Sequence, residues 1–210
     1  MRNRLHGLYA ITDASLMPAN IFNTKAEQAL QGGAKIIKYR DKSQDLSKRL
    51  QQAKFLKKIC LQHKALLIIN DDIQLAIETN ADGVHIGIND ISLAEARTKL
   101  GLKKIIGISC YNQFELAQQA EKEGADYIAF GSFFSSPTKP DAKPASIDLL
   151  EKAKNQLSIP VCAIGGININ NAGILLDAGA DMLAVISGVI GEQDVTAASL
   201  KFKNLFEQHN

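Results

Sequence analysis

The sequence has little cysteine, no long apolar run and almost no net charge, and each shortage argues against a class of protein. Only three cysteines occur among 210 residues, without a CxxC pair or a spacing typical of metal ligands. So sparse and odd a count favours a reducing compartment, and we therefore expect a cytoplasmic protein. No apolar stretch approaches the roughly 18 residues of a membrane-spanning helix, and the first residues lack the apolar core of a signal peptide.

The charges are nearly balanced, with 24 Lys and Arg against 22 Asp and Glu, and they are spread along the chain. Such a distribution gives no basic footprint for nucleic acid or an acidic membrane. The sequence also contains no Ser/His/Asp order, no zinc-ligand spacing and no dinucleotide-binding fingerprint. The predicted partners are therefore small-molecule substrates, and whether the chain forms a homo-oligomer stays open.

Short apolar runs alternate regularly with helical patterns. Near-continuous, β-branched hydrophobic runs are typical of parallel strands covered on both faces. We predict strands at 8–12, 36–40, 66–70, 83–87, 105–109, 127–131, 161–165 and 183–187. We predict helices near 20–31, 47–63, 72–79, 92–100, 113–123, 147–156, 170–178 and 194–208. Eight such units indicate an α/β protein with one domain, residues 1–210, folded as a (β/α)8 TIM barrel. A doubly wound open sheet is the alternative.

A short repeat supports the barrel. The segments GGAK (32–35), NADG (80–83), GADY (124–127) and GADM (179–182) come directly before the second, fourth, sixth and eighth strands. A Gly or Asn just after a helix is suited to a left-handed cap, from which the chain turns into a strand. The recurrence predicts four βαβα quarter-barrels, so it concerns folding rather than chemistry.

Polar residues collect where the strands end, which is where barrel enzymes build their sites. Asp72 and Ser92 among them are interpreted as helix N-caps. The longest such stretch is the loop SFFSSPTKPDAKPAS at 132–146, which holds three of the five prolines. Loops of this length are usually functional or disordered. Its hydroxyls and lysines suit an anionic ligand, and a solvated surface loop is the alternative.

Two turns that contain glycine indicate a phosphate site. They are GG (165–166) after the seventh strand and SG (187–188) after the eighth. Backbone amides beside helix N-termini favour negative charge, as in the common phosphate site of barrels. The alternative is that the glycines only form tight turns. Ser136 and Thr138 would complete the pocket across the barrel mouth.

The basic residues Arg40, Lys42 and Lys139 would converge from the second and sixth units. The planar fork of Arg and the compact charge of Lys both suit pyrophosphate oxygens. Taken singly, each is more often a solvated charge. Together they predict a binding site for a diphosphate.

Asp71 and Asp90 follow the third and fourth strands, on neighbouring units. Two carboxylates at a barrel mouth repel each other unless a hard cation or a shared proton joins them. The nearby basic residues favour a magnesium–pyrophosphate site over an acid/base pair. Asn70 suits a heterocycle edge or a phosphate oxygen, and His85 is either a core or a catalytic histidine. These residues predict an enzyme with a magnesium-bound diphosphate and a second phosphate, without naming the reaction.

Six segments together resemble the thiamine phosphate synthase family. They are YRDK (39–42), LLIINDD (66–72), GVHIGIND (83–90), SPTK (136–139), AIGGI (163–167) and GADMLAVIS (179–187). They occur in order, at matching spacing, over nearly the whole chain. The family consists of alkyl or aryl transferases that join a hydroxymethylpyrimidine diphosphate to a thiazole phosphate, releasing pyrophosphate. The resemblance leaves open whether the thiazole carries its carboxylate.

The resemblance implies a role for each matching residue. The residues for the pyrimidine diphosphate would be Lys38, Tyr39, Arg40, Asp41, Lys42, Asn70, Ser109 and Lys139. Those for the thiazole phosphate would be Ser136, Pro137, Thr138, Gly166, Ile186 and Ser187. One Mg²⁺ per site would be held by Asp71 and Asp90. The implied catalytic residues are Arg40, Lys42, Ser109 and Lys139.

The implied mechanism requires no nucleophile or strong base from the protein. Magnesium and the cations stabilise the leaving pyrophosphate, and the electron-rich aminopyrimidine supports positive charge on its methylene. The thiazole nitrogen then attacks, while the barrel aligns the two partners and excludes water. The loop at 132–146 is a candidate lid.

Three positions depart from the family pattern. Lys38 stands where Gln is frequent, Ser136 where Thr is frequent, and CY (110–111) where Thr-His is common. The last difference disfavours a related thiazole tautomerase that uses a His near this strand end, because no His occurs between His85 and His209. The other alternative is a non-catalytic thiamine-precursor binding protein, which the two intact aspartates disfavour.

Overall fold

In a computed structural model, which describes residues 4–135 and 144–209, the chain forms a closed parallel β-barrel surrounded by helices. The strands are β1 (Gly7–Ile11), β2 (Ile36–Tyr39), β3 (Leu66–Asn70), β4 (Gly83–Ile86), β5 (Ile105–Tyr111), β6 (Tyr127–Phe130), β7 (Val161–Ile164) and β8 (Met182–Val185). They pair in sequence order, and β1 pairs with β8. The predicted barrel is confirmed, and the open-sheet alternative is wrong.

Helices cover the outside of the barrel. Within the described residues they are α1 (Ala19–Gln31), α2 (Leu46–Gln62), α3 (Ile73–Glu78), α4 (Leu93–Leu100), α5 (Phe114–Lys122), α6 (Asp148–Gln156), α7 (Ala172–Asp177), α8 (Ser187–Ile190) and α9 (Val195–Gln208). The short α8 was not predicted. None of these helices is both long and apolar enough to cross a membrane.

The strands are buried on both faces, which explains their near-continuous hydrophobic sequence. Alternate residues of a strand point to opposite faces. In β1, Tyr9 and Ile11 join an apolar cluster inside the barrel, whereas Leu8 and Ala10 join the larger cluster between strands and helices. Burying a side chain of the size of Leu8 or Ile11 contributes about 1.5–3 kcal/mol. Only the side chains at the inward positions of each strand can reach the barrel axis.

The predicted caps are present. Gly33, Gly124 and Gly179 have φ angles of 101°, 91° and 99°, and Asn80 has a φ of 50°. These left-handed residues let each helix end and the chain turn directly into the next strand. The N-caps Asp72 and Ser92 are also confirmed, since each side chain accepts a backbone hydrogen bond from the first turn of its helix.

The repeat also carries an aspartate whose role the sequence did not reveal. Asp82, Asp126 and Asp181 each accept a hydrogen bond from a backbone amide at the start of the preceding strand, at 2.8–2.9 Å. Each also pairs with a basic side chain, namely Lys57, Arg97 and Lys154. The aspartates therefore tie neighbouring strands together at the amino end of the barrel.

Candidate active site

A cavity of about 280 Å³ opens at the carboxyl ends of the strands, and all eight strands contribute to its wall. Ten predicted residues line it: Lys38, Arg40, Lys42, Asn70, Asp71, Asp90, Ser109, Gly166, Ile186 and Ser187. The predicted residues Ser136, Pro137, Thr138 and Lys139 lie outside the described part of the chain. Residues that are far apart in sequence thus meet in one cavity.

A larger cleft of about 510 Å³ lies at the opposite end of the barrel. It surrounds residues that precede β1 and β8, such as His6 and Asp181, and it contains none of the predicted site residues. Barrels build their chemistry at the carboxyl end of the strands and use the other end for stability. The cavity at the mouth is therefore the candidate active site.

Tyr39 and Asp41 do not line the cavity, although both were predicted to bind substrate. The tyrosine points outward, where its hydroxyl donates to Gln52 of α2 at 2.9 Å. Asp41 forms an ion pair with Lys48 at 2.7 Å. Burial opposes ionisation of Asp41, but hydrogen bonds and the Lys48 charge lower its pKa overall. Strand alternation explains the difference, since Lys38 and Arg40 occupy the inward positions.

The basic side of the cavity is held by β2 and the residues after it. Lys38 is buried, Arg40 is half-buried and Lys42 is exposed. The Thr12 hydroxyl accepts a hydrogen bond from the Arg40 amide at 2.9 Å, and the Thr12 amide donates to the Lys38 carbonyl at 2.9 Å. These bonds extend the β1–β2 pairing past the strand ends. They fix the backbone from which the basic side chains extend.

The two predicted metal ligands, Asp71 and Asp90, lie side by side at the mouth, after the neighbouring strands β3 and β4. Although Asp71 reaches solvent, partial desolvation raises its pKa most, followed by the charge of Asp90 and a hydrogen bond to it. Lys38 and Lys42 act in the opposite direction. Asp90 is oriented by accepting a hydrogen bond from the Gly87 amide at 2.7 Å. The arrangement concentrates negative charge beside the basic residues.

Local backbone geometry aims Asp71 into this position. Its φ angle is 62°, which is uncommon for a residue with a side chain but tolerated by Asp and Asn. Its amide donates to the His85 carbonyl at 2.9 Å, and the Asn70 side-chain amide donates to its carboxylate. The strained conformation is typical of a functional site.

The two glycine-containing turns lie opposite the carboxylates. Gly165 and Gly166 have φ angles of 109° and 60°, and a Cβ at Gly165 would overlap Ser132. Asn171 donates to the Gly166 carbonyl at 3.0 Å, which holds the first turn. The second turn begins the one-turn helix α8 at Ser187. Their backbone amides suit an anion.

Sequence reasoning missed Tyr9 and Tyr111 as cavity residues and left His85 undecided, but all three contribute to the wall. Tyr111 has a φ of 53° and lies at a register shift in the pairing of β5 with β6. The strand alternation of β1 could have placed Tyr9 inward. No sequence signal announces the irregular end of β5.

The chain is similar to known proteins along most of its length. The model of the thiamine monophosphate synthase family matches residues 8–189. The thiamine-phosphate synthase of Thioalkalivibrio sulfidiphilus is 48% identical over 204 residues, which cover 97% of each chain. That of Nitrosococcus oceani is 47% identical over 210 residues, covering 100% of this chain and 97% of the relative.

The fold of a solved relative is also similar. The structure of thiamine phosphate pyrophosphorylase from Pyrococcus furiosus superposes with a TM-score of 0.90 at 36% identity. The match covers 99% of this chain and 98% of that one. With a family model that spans most of the chain and full-length relatives at this identity, the chain belongs to the thiamine monophosphate synthase family.

Proposed function

We propose that this chain makes thiamine phosphate by joining a hydroxymethylpyrimidine diphosphate to a thiazole phosphate. In the reaction, the bond between the pyrimidine methylene and the pyrophosphate oxygen breaks, and a bond from the methylene to the thiazole nitrogen forms. The chain is thus a transferase of alkyl or aryl groups. The observation that carries the proposal is the convergence of two carboxylates, three basic side chains and two glycine-containing turns on one cavity.

The donor set at Asp71 and Asp90 fits one Mg²⁺ per site. Both are hard oxygen ligands, and the raised pKa of Asp71 reflects desolvation and a neighbouring carboxylate that a divalent cation would offset. Among the described residues, no three His, Cys, Asp or Glu side chains come together as a metal cage. Magnesium commonly completes its coordination with phosphate oxygens and water. When bound, it would supply positive charge to the departing pyrophosphate.

The basic residues would stabilise the same leaving group. Arg40 and Lys42 lie on the side of the cavity next to the carboxylates, and Lys139 would join them from the long loop. Charge placed in advance where pyrophosphate departs lowers the barrier without reorganisation. Tyr39 and Asp41 would act through the packing and the ion pair that hold this segment in place.

The remaining predicted residues would align the two partners. Asn70 and Ser109 offer an amide and a hydroxyl to the pyrimidine substrate. Gly166, Ile186 and Ser187 would receive the thiazole phosphate, together with Ser136, Pro137 and Thr138 from the loop. Enclosure in the barrel mouth would exclude water from the methylene cation. The proposed location is the cytoplasm, since the three cysteines are buried and unpaired.

A pyrophosphate-release assay with Mg²⁺, both substrates and each substrate omitted in turn tests the proposal. We expect release only when both substrates are present, with thiamine phosphate as the organic product. Interconversion of thiazole tautomers without release would instead make the chain a tautomerase. Tight binding of a precursor without either reaction would make it a binding protein. Either result would overturn the proposal.

A further inference from the structure

Four side chains form a continuous hydrogen-bonded chain inside the barrel. The Tyr9 hydroxyl lies 2.9 Å from the Tyr127 hydroxyl, which lies 2.9 Å from His85 Nδ1. His85 Nε2 lies 2.9 Å from Ser109 Oγ. Tyr9, Tyr127 and His85 are buried, whereas Ser109 is half-buried in the cavity wall. This series of hydrogen bonds therefore runs from the barrel interior to a hydroxyl that faces the cavity.

The surrounding structure holds these four hydrogen-bonded side chains in place. The rings of His85 and Tyr127 stack with their centroids 5.5 Å apart, and Tyr9 meets Tyr127 edge-on at 6.1 Å. Gly107 leaves room for Tyr127, because a Cβ at that position would overlap the phenol ring. Burial raises the pKa of both tyrosines well above the usual range, so both keep their protons.

The protons of such a chain can point in one of two directions. If Ser109 donated to His85 Nε2, the proton of the neutral imidazole would lie on Nδ1 and would be donated to the Tyr127 oxygen. The Tyr127 hydroxyl would then donate to Tyr9, and the Tyr9 hydroxyl would need another acceptor. Tyr9 is only 2% exposed, and its one hydrogen-bond partner among residues 4–135 and 144–209 is Tyr127. A buried donor without an acceptor is costly. In the opposite direction every buried proton has an acceptor, and the Ser109 proton is left for the cavity.

We propose that Tyr127 and His85 are positioning residues which fix His85 as the Nε2–H tautomer and so present the Ser109 hydroxyl as a hydrogen-bond donor to the pyrimidine diphosphate. Tyr127 donates to His85 Nδ1, and His85 Nε2–H donates to Ser109 Oγ. The Ser109 proton then points to an acceptor atom of the substrate. The assignment of that substrate rests on the function proposed above.

Steady-state kinetics of Tyr127→Phe, Ser109→Ala and the double variant test the coupling. We expect Tyr127→Phe to lower kcat/KM for the pyrimidine diphosphate about tenfold, the effect of one oriented hydrogen bond, and to leave KM for the thiazole phosphate within about twofold. In the Ser109→Ala background the same change should cost less than about twofold, because the residue through which it acts is missing. A full tenfold loss in that background, or no loss in the single variant, would overturn the proposal.

Thr79→Val is the matched control for loss of a buried hydroxyl. Thr79 donates to the Leu75 carbonyl at 2.7 Å at the end of α3, away from the cavity. Its kinetics should equal those of the unmodified protein. If both variants lowered kcat/KM equally, the Tyr127 effect would be a general consequence of weakened packing and the proposal would fail.

The tautomer can be measured without any substrate. The sequence has four histidines, so ¹⁵N spectra of histidine side chains are simple, and the His85 signals are those missing from His85→Asn. We expect Nε2–H in the unmodified protein and a mixture of tautomers in Tyr127→Phe. A predominant Nδ1–H form would overturn the proposal. Absence of turnover with the Nε2–H form present would instead count against the proposed function alone.

Discussion

At the scale of single residues, Asp71 lowers the stability of the fold while it provides a charge that the proposed function needs. Its raised pKa means that the folded chain disfavours the ionised form. A carboxyl whose pKa is raised on folding contributes stability below its unfolded pKa, and that contribution is lost as pH rises through the folded pKa. The ionised form of Asp71 is therefore held at a cost in stability, as is common where a ligand must be bound.

Asp71→Asn should separate these effects. Asn tolerates the left-handed backbone of Asp71 and removes the repulsion from Asp90, so the melting temperature should stay equal or rise. Turnover should fall by about 10²–10³, the usual cost of losing one charge-stabilising group. Parallel melting curves and pyrophosphate-release rates check both parts.

Asp72→Asn makes the same chemical change one residue later and serves as the control. Asp72 caps α3 and pairs with Arg49 at 2.6 Å, and it does not line the cavity. This variant should lose some stability and keep its turnover. Near-normal turnover in Asp71→Asn would contradict the metal assignment.

At the scale of elements, the sequence predicted what local physics determines. Apolar runs and glycine caps depend on neighbouring residues, so the strands and the repeat were found. The Tyr9–Tyr127 bond joins residues 118 positions apart, and no local pattern pairs them. All five residues of the KYRDK segment (38–42) were predicted to bind the pyrimidine diphosphate, yet strand alternation points Tyr39 away from the cavity. Irregular features, such as the end of β5 at Tyr111 and the short helix α8, depend on tertiary packing.

The aspartates of the repeat allow a test at this scale. Asp126 accepts from the Ile106 amide at 2.9 Å and pairs with Arg97 at 2.7 Å, while its own amide donates to the Ile106 carbonyl. Asp126→Ala removes a charged acceptor from the amide of the buried Ile106, so the free energy of unfolding should fall by about 2 kcal/mol. Urea titration measures this loss.

The same variant should keep its turnover, because Asp126 lies at the amino end of the barrel. Glu192→Ala, at an exposed position in the turn after α8, should change neither stability nor turnover. Loss of turnover without loss of stability in Asp126→Ala would show that the two ends of the barrel are not independent.

At the scale of the whole molecule, a net charge near zero hides a concentration of charged groups at the barrel mouth. The net charge is only +2, yet Lys38, Arg40 and Lys42 gather at the mouth beside two carboxylates. At the amino end, aspartates pair with basic residues and tie strands. The amino end thus has ion pairs that stabilise the fold, and the carboxyl end has charged groups of both signs that suit a ligand.

This division predicts how ligands change the stability of the barrel. A ligand that binds only the folded state adds about 2.7 kcal/mol at about 100 times its Kd, which for a chain of this size raises the melting temperature by roughly 5–10 °C. Mg²⁺ and pyrophosphate together should give such a shift, since each neutralises the charge that repels the other ligand. Mg²⁺ alone should give little, and the combined shift should be lost in Asp71→Asn. An equal shift by pyrophosphate without Mg²⁺ would mean that the basic residues alone hold the leaving group.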